Sequence, residues 1–293
     1  MNALRNMMDT GDEQFPILGY VAWWNVRGVK INRTVFRDIL NGLGLDGNKY
    51  ARPHNYRSTF IRCLKGMEEK RIIRPVKEDQ DRMIYQFTAE TLVEDGDTPH
   101  LEYTQELQVE IDKSIYFAEL EFGQALKCDS SIRQQLIEAF NEERESYNSS
   151  DITRYVQKIF NEEADIVSLR PQGAVYFVPA EYESIVTKVG QAMEAIPGDA
   201  QFDFFPVPDV KSARTMVGRG VNSEIAAEFA KMDREIQEVK AGTKEVTDKW
   251  VEHRKEVVQE LKARIQMYSD VLGEAGGEFN RLAKEFGSRL IEI

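Results

Sequence analysis

Apolar residues recur at helical spacing in the first third of the chain and then form two shorter runs typical of strands. In INRTVFRDILNGLGLD, which begins at Ile31, and again from Phe60 to Met67, they fall three or four positions apart. The runs RIIRPV and MIYQFTAE are rich in β-branched and aromatic residues, and the charged KEDQDR between them suits a hairpin loop. The pattern predicts a helix, a turn, a second helix and a hairpin within residues 15–95.

The next stretch, residues 99–208, mixes both patterns and predicts an acidic α+β domain. LEYTQELQVEIDKSIYF alternates as a strand does, and SSIRQQLIEAFNEERESY and SSDITRYVQKIFNEE are amphipathic helices that begin with residues able to cap free amides. IVSLRPQGAVYFVP indicates a hairpin, EYESIVTKVGQAMEAI a helix and FDFFPVP a short strand. The helix, helix, hairpin order at residues 130–179 repeats that of the first domain, so a degenerate second copy of that domain stays open.

A heptad pattern begins at Ile225 and predicts a coiled coil or a helical hairpin over residues 221–293, in which the shorter helix EFNRLAKEFGSRLIEI either folds back on the long helix or pairs with another subunit. Its apolar positions follow alternating steps of four and three and then steps of four, which predicts one continuous helix that ends near Gly273. The residues expected to carry oligomerisation are those of this seam: Phe229, Met232, Ile236, Val239, Val246, Trp250, Val257, Leu261, Ile265, Tyr268 and Leu272. Just before the seam, residues 217–226 (VGRGVNSEIA) lack the GxxxxGK[ST] spacing of a phosphate-binding loop and are interpreted as a flexible linker.

Charge is distributed unevenly along the chain. The formal net charge is −12, yet residues 17–77 hold thirteen Lys and Arg against four Asp and Glu, a local charge of +9. The remainder therefore carries −21. An acidic chain repels phosphate on average, so this local reversal predicts that the basic segment has a separate task.

The segment CLKGMEEKRIIRPV, followed by MIYQF, resembles a recognition helix that leads into a β-wing, and residues 30–88 resemble the winged helix-turn-helix superfamily in element order. In that superfamily the second helix enters the major groove of double-stranded DNA, and the wing meets the adjacent backbone. The resemblance implies nucleic-acid contacts by residues of this helix and wing: Asn55, Tyr56, Arg57, Ser58, Arg62, Lys65, Arg71, Arg74, Lys77 and Arg82. Arg57 and Arg62 are expected to share one exposed flank of the helix. Docking of an acidic protein on the same face is the alternative.

A second resemblance concerns RPQGAVYFVP, which is similar to a segment of uncharacterised proteins encoded by prokaryotes and their phages. It implies membership of an uncharacterised family, and it implies no activity. The prediction of a prokaryotic or phage protein rests on this segment.

Sequence motifs of catalysis and of metal binding are absent. His54, His100 and His253 stand in separate segments without the spacing of a zinc site, and no GxSxG elbow occurs. Cys63 and Cys128 lie far apart and are interpreted as reduced thiols. No apolar run reaches the length of about 18 residues that a membrane span requires. These features predict a cytoplasmic protein that is not an enzyme and that needs no cofactor.

Together these patterns predict an α+β, helix-rich chain. Its parts are a disordered N-terminus at residues 1–14, a winged helix at 15–95, a central α+β domain at 99–208 and a long helix or coiled coil at 221–293. The expected function is non-enzymatic binding of double-stranded DNA by an oligomer. The alternatives are an adaptor or scaffold subunit of a larger bacterial or phage complex, and an undetected enzyme in the central domain.

Overall fold

The computed structural model describes residues 16–67, 71–93, 100–113, 122–170, 174–243 and 245–273. The chain divides into two compact units: one is Lys30–Asp151, and the other combines the chain up to Val29 with the chain from Ile152 onward. The fold is α+β and helix-rich, as predicted, with long helices near the C-terminus. The predicted disordered segment 1–14 lies outside the described residues.

The strands and helices follow one another along the chain with these bounds. They are β1 (Ile17–Asn25), β2 (Lys30–Asn32), α1 (Arg33–Gly42), α2 (Gly47–Tyr50), α3 (Tyr56–Gly66), β3 (Arg71–Glu78), β4 (Arg82–Val93), β5 (His100–Asp112), α4 (Phe122–Ala125), β6 (Leu126–Lys127), α5 (Ser130–Arg144), β7 (Ser146–Asn148), α6 (Ser149–Glu163), β8 (Val167–Ser168), β9 (Tyr176–Pro179), α7 (Glu183–Glu194), β10 (Gln201–Pro208), α8 (Lys211–Lys240) and α9 (Asp248–Leu272).

The unit Lys30–Asp151 is built on a four-stranded antiparallel sheet in the order β3-β4-β5-β6. Phe60 of α3, Phe140 of α5 and Phe87 of β4 are buried in one core, so both helices lie on the same face of the sheet. The rings of Phe122 and Phe140 stack with their centroids 3.7 Å apart, which joins α4 to α5. Strands β2 and β7 form a separate two-stranded pair.

The predicted domain boundary at residues 95–99 is wrong. Strands β4 and β5 pair along their whole lengths, from Arg82 opposite Asp112 to Val93 opposite His100, so one hydrogen-bonded ladder includes both sides of that boundary. Separating the strands would leave their ladder amides and carbonyls without partners. The predicted order of helix, helix and two paired strands holds for α1, α3, β3 and β4, but these strands are half of a larger sheet.

The other unit has a four-stranded antiparallel sheet of its own, in the order β10-β1-β9-β8, with helices on both faces. On one face, Trp24 of β1 stacks with Phe160 of α6 and Phe202 of β10, with ring centroids 6.3 and 6.1 Å apart. On the other face, Val21 of β1 shares a core with Ile225 of α8 and with residues of α9. Both faces of this sheet are therefore covered by apolar packing.

The region 130–179 is not a second copy of the first predicted domain. Helix α5 packs in the unit Lys30–Asp151, whereas the hairpin of β8 and β9 belongs to the other unit. A winged helix needs its helices and its hairpin around one core, and here they contribute to different cores. The hairpin itself is confirmed, because Val167 lies opposite Phe177; its turn at residues 171–173 is outside the described residues.

The heptad seam does not form one continuous helix. Helix α8 ends at Lys240, and Gly242 has a φ of 71°. Helix α9 begins at Asp248, where the Thr247 side chain caps it by accepting a hydrogen bond from the Trp250 amide. A positive φ favours glycine and ends a helix, so Gly242 was the stop signal in the sequence.

Helices α8 and α9 pack against each other as an antiparallel hairpin within the chain. Met232 of α8 and Leu261 of α9 share a buried cluster, and Arg254 of α9 lies 2.9 Å from Glu235 of α8. The end of α9 at Gly273 agrees with the prediction. The described residues thus form a hairpin of α8 with α9, and the segment EFNRLAKEFGSRLIEI, which was expected to fold back or to pair with another subunit, lies outside them.

Most residues of the predicted oligomerisation seam are used inside the chain. The fully buried ones are Met232, Ile236, Leu261, Ile265, Tyr268 and Leu272. Phe229, Val239, Trp250 and Val257 are half buried, and Val246 is exposed. Side chains that fill the core of one chain are not available to a second chain, so the buried members do not form an oligomer interface in this structure. Self-association itself stays a prediction.

The segment interpreted as a flexible linker, residues 217–226, lies inside α8. Gly220 is buried where α8 crosses β8: a Cβ atom at this position would lie 2.9 Å from Val167 Cγ1 and 3.0 Å from the Ser168 carbonyl oxygen. The close approach of helix and strand, rather than flexibility, therefore requires the glycine.

Gly220→Ala is expected to lower the free energy of unfolding by about 1–3 kcal/mol, because the added methyl group overlaps Val167 and the strand backbone. Urea denaturation followed by circular dichroism measures this change. Gly66→Ala in α3 is the matched control, because no atom lies within 4 Å of its added Cβ. Equal stability of the two variants would contradict the close helix–strand contact.

Candidate nucleic-acid interface

Helix α3 begins at Tyr56 because the Asn55 side chain caps it, accepting a hydrogen bond from the Ser58 amide at 2.8 Å. Its buried side, with Phe60 and Leu64, packs against α5 and the sheet. The other side carries exposed or half-buried residues, which we name the α3 strip: Arg57, Ser58, Ile61 and Lys65.

Tyr56, a predicted nucleic-acid contact, packs inside the unit. Its ring stacks with Phe140 at 6.0 Å between centroids, and the Arg144 guanidinium lies 4.2 Å from the centroid of the same ring. Aromatic stacking and cation–π contacts of this kind join α3 to α5. The ring is therefore engaged in holding the helix in place.

Arg57 remains at the surface, with a carboxylate of its own chain as partner. Its Nη2 lies 3.0 Å from Glu78 Oε2, and the two side chains are 57% and 39% exposed. The hydrogen bond from Arg57, with another from Lys113, holds the pKa of Glu78 below its usual range. An ion pair this exposed contributes little to stability. A phosphate can therefore replace the carboxylate at low energetic cost.

Arg62 does not lie on the exposed flank, and the prediction that it shares this flank with Arg57 is wrong. The Arg62 guanidinium binds both carboxylate oxygens of Asp151, at 2.7 and 2.6 Å, and reaches Glu143 at 3.1 Å. Asp151 is fully buried, in the first turn of α6. Positions five residues apart on a helix point about 140° away from each other, which turns Arg62 inward.

The carboxylate of Asp151 is the centre of a small polar cluster. His54 Nε2 lies 3.2 Å from Asp151 Oδ2, and the Asn148 amide donates a hydrogen bond to the same oxygen at 3.1 Å. Burial alone raises the pKa of Asp151, but the hydrogen bonds from Arg62, His54 and Asn148 outweigh it and hold this pKa well below its usual range. Asp151 is therefore a stably ionised partner for Arg62 inside the fold.

Sequence reasoning missed His54, Glu143 and Asp151 as members of this cluster. One local signal was present: Asn148 accepts from the Asp151 amide at 3.2 Å while Asp151 accepts from the Asn148 amide, which is the reciprocal pattern of a capping box. That pattern locates the start of α6. It gives no indication that Arg62, 89 residues earlier, binds the same carboxylate.

Three of the four predicted wing residues, Arg74, Lys77 and Arg82, lie on the opposite face of the sheet from α3. Ile73 packs into the core on the helix side, so its neighbour Arg74 points to the other face, which we name the outer face. A bulge before Lys77 places this residue opposite Ile84. Arg82 precedes Ile84 by two positions on β4 and therefore lies on the same face. The single surface predicted for helix and wing is thus divided between two faces.

Carboxylates of the same unit pair with part of the outer face. Lys77 lies 2.9 Å from Asp79, and Arg82 lies 3.7 Å from Asp79 and 3.8 Å from Glu110. The side chain of Arg71, another predicted contact, lies outside the described residues. The wing therefore presents alternating charges rather than a uniformly basic surface.

Lys65 on the α3 strip and Arg74 on the outer face are exposed, and neither forms an ion pair within the described ranges. The unit Lys30–Asp151 as a whole contains 17 Lys and Arg against 23 Asp and Glu, a net charge of −6. Positive potential is therefore local to these residues and is not a property of the unit.

The described residues contain no group of three or more His, Cys, Asp and Glu side chains that could hold a metal ion. None of the described helices has the length and apolar character needed to cross a membrane. Cys63 is buried in the core, and burial, with the charges of Glu143 and Glu142, raises the pKa of its thiol to about 12. A thiol with that pKa stays protonated at neutral pH and is a poor nucleophile.

Comparison with known proteins identifies one family. A family model matches residues 17–286, and its description is a family of unknown function (DUF6744). No curated protein and no solved structure matches the chain. The sequence resemblance implied that the chain belongs to an uncharacterised family, and this match confirms that membership.

Arg62→Gln is expected to lower the free energy of unfolding by about 3 kcal/mol or more, because it leaves the Asp151 carboxylate buried without its bidentate partner. Arg57→Gln, on the same helix, should cost less than about 1 kcal/mol, because its ion pair is exposed. Chemical denaturation of both variants measures the difference. Similar losses in the two variants would show that Arg62 is not the structural arginine of α3.

Stability is expected to fall as the pH drops below about 4, the unfolded-state pKa of an aspartate. Because the pKa of Asp151 is lowered in the folded state, its contribution is fully present above that pH and is lost as the pH falls towards the folded pKa. Asp151→Asn should be less stable at neutral pH and should lose less stability on acidification. Urea titrations at several acidic pH values measure how the free energy of unfolding changes with pH in the parent and in the variant. The same change with pH in both would contradict the role of Asp151 as a buried, ionised partner of Arg62.

Proposed function

Because the chain belongs to the DUF6744 family, whose function is unknown, we propose a function from the geometry of α3. The protein is a non-enzymatic DNA-binding protein that holds the phosphate backbone of double-stranded DNA through the α3 strip. The observation that carries this proposal is the pair of exposed cations Arg57 and Lys65 on the solvent side of α3. In this proposal α3 acts as the recognition helix of a winged helix-turn-helix protein does.

Both cations of the α3 strip are suited to phosphate. They are separated by eight positions, roughly 12 Å along the helix axis, and so can meet different phosphates of one strand. Lys65 forms no ion pair with another described residue. Arg57 would give up only its exposed ion pair with Glu78 in order to bind a phosphate. Ser58 lies between them and offers a hydroxyl to the same backbone.

The proposal implies modest affinity with a defined salt dependence. The strip offers about two or three phosphate contacts, so the logarithm of the binding constant should fall with the logarithm of salt concentration with a slope of about −2 to −3. The acidic remainder of the unit opposes a wider DNA footprint. The outer-face cations point away from the strip and do not add to the slope.

A second candidate function, that of an adaptor for acidic proteins, is favoured by the ion pair that the α3 strip forms within the chain. On this strip, Arg57 binds the carboxylate of Glu78. A surface that already accepts carboxylates of its own chain is suited to those of a partner. An acidic protein and a duplex would compete for the α3 strip.

Combined substitution of Arg57→Glu and Lys65→Glu is expected to weaken duplex binding roughly tenfold or more, because each change removes one phosphate contact and adds a repelling charge. Fluorescence anisotropy of a labelled duplex, titrated with the full chain at several salt concentrations, measures both affinity and slope. Arg62 stays unchanged, because its replacement would test the fold rather than binding.

The matched control is Lys211→Glu combined with Arg219→Glu. These exposed cations lie on α8 of the other unit, eight positions apart, so the charge change and the spacing are the same. The control should bind DNA about as well as the parent. Equal loss in both double variants, or no salt-dependent binding by the parent, would overturn the proposal. Binding of polyglutamate that is lost only with the α3 double variant would favour the adaptor.

A further inference from the structure

Strands β4 and β5 continue beyond the sheet to which they belong. Strand β3 pairs with β4 only as far as Arg71 opposite Ala89, whereas β4 and β5 go on pairing with each other. We name the part formed by residues 90–93 and 100–103 the ribbon. Its two strands contact each other and no third strand in the described chain.

One face of the ribbon carries an exposed apolar stripe. Leu92 lies opposite Leu101, and Glu90 lies opposite Tyr103, so these four side chains share a face. Leu92, Leu101 and Tyr103 are 58%, 46% and 55% exposed. Three large apolar side chains that are exposed side by side on a two-stranded element indicate a surface that binds a partner.

The ribbon itself carries two carboxylates, Glu90 and Glu102, of which Glu102 lies 3.6 Å from His100, and further acidic residues adjoin it in the sequence. Residues 83–112, from which both of its strands come, contain eight Asp and Glu and no Lys or Arg. Glu90 lies on the apolar face, and Glu102 lies on the other face beside Thr91 and Thr104. This charge repels DNA, and it also repels the ribbon of a second copy of the chain.

Most of the outer edge of β5 has no neighbouring strand within the described residues. On this edge, β5 pairs with β6 only at Glu110 and Ile111. The preceding residues 100–109 have no strand beside them on that side in the described part of the chain. Such an edge presents a row of amides and carbonyls to which an extended segment can add.

We propose that the ribbon docks a basic, extended segment of a partner protein, which adds as a strand to the open edge of β5. The partner's apolar side chains would continue the stripe of Leu101 and Tyr103. Its Lys or Arg side chains, at alternate positions, would face Glu102 on the other side of the ribbon. The partner segment therefore alternates apolar and basic residues. This site is separate from the α3 strip, which attracts ligands of the opposite charge.

The probe for this proposal is a fluorescently labelled peptide that alternates valine and lysine over about eight residues, the length of a typical strand. It should bind the full chain in an anisotropy titration and slow amide hydrogen exchange within residues 101–109. A valine–glutamate peptide should not bind. A serine–lysine peptide, which keeps the charge but lacks the apolar side chains, should bind roughly tenfold more weakly.

Variants of the ribbon locate the site. Leu101→Ser combined with Tyr103→Ser, and separately Glu102→Lys, should each weaken peptide binding roughly tenfold or more. Glu260→Lys, at an exposed position of α9, makes the same charge change away from the ribbon and should leave binding unchanged. The serine variant should keep the DNA affinity of the parent, so failure of this proposal is distinguishable from failure of the proposed function.

Two results would overturn the proposal. One is absence of binding by the valine–lysine peptide. The other is equal weakening by Glu102→Lys and Glu260→Lys, which would show that the peptide binds only the general acidity of the chain. Circular dichroism and thermal unfolding of each variant establish that the exposed substitutions leave the fold intact.

Discussion

The bidentate bond between Arg62 and Asp151 joins the middle of α3 to the first turn of α6. Asp151 is fully buried and ionised, so a cation must reach it from inside the unit. Arg62 does so from the middle of α3, on a helix whose Phe60 and Leu64 pack into the core and whose Arg57 and Lys65 lie outside. The candidate interface is therefore what remains of a basic helix after its central arginine has been used for stability.

The same unit presents surfaces of opposite charge. The α3 strip attracts anions, whereas the ribbon of β4 and β5 is acidic and carries an exposed apolar stripe. An average charge of −6 for the unit describes neither surface. Together the two proposals describe a unit that meets partners of different chemistry at different places.

Local patterns predicted many elements well, because a helix or a strand is specified largely by residues near one another in sequence. The cap at Asn55, the helix starting at Ser130 and the hairpin of β8 and β9 are examples. Predictions that depended on distant partners were wrong. The predicted boundary near residue 95 divides one β-ladder, and the heptad spacing predicts a single helix through Gly242, where a positive φ follows the end of α8.

The sequence by itself determined the α+β class, many of the local helices and strands, and the concentration of positive charge between residues 17 and 77. Only the tertiary structure decided which of these charges remain available. Arg62 is neutralised by a residue 89 positions away, and Arg74, Lys77 and Arg82 are separated from α3 by the thickness of a sheet. The physical reason is that electrostatic partners are chosen by distance in space, which the spacing of charges along a chain does not encode.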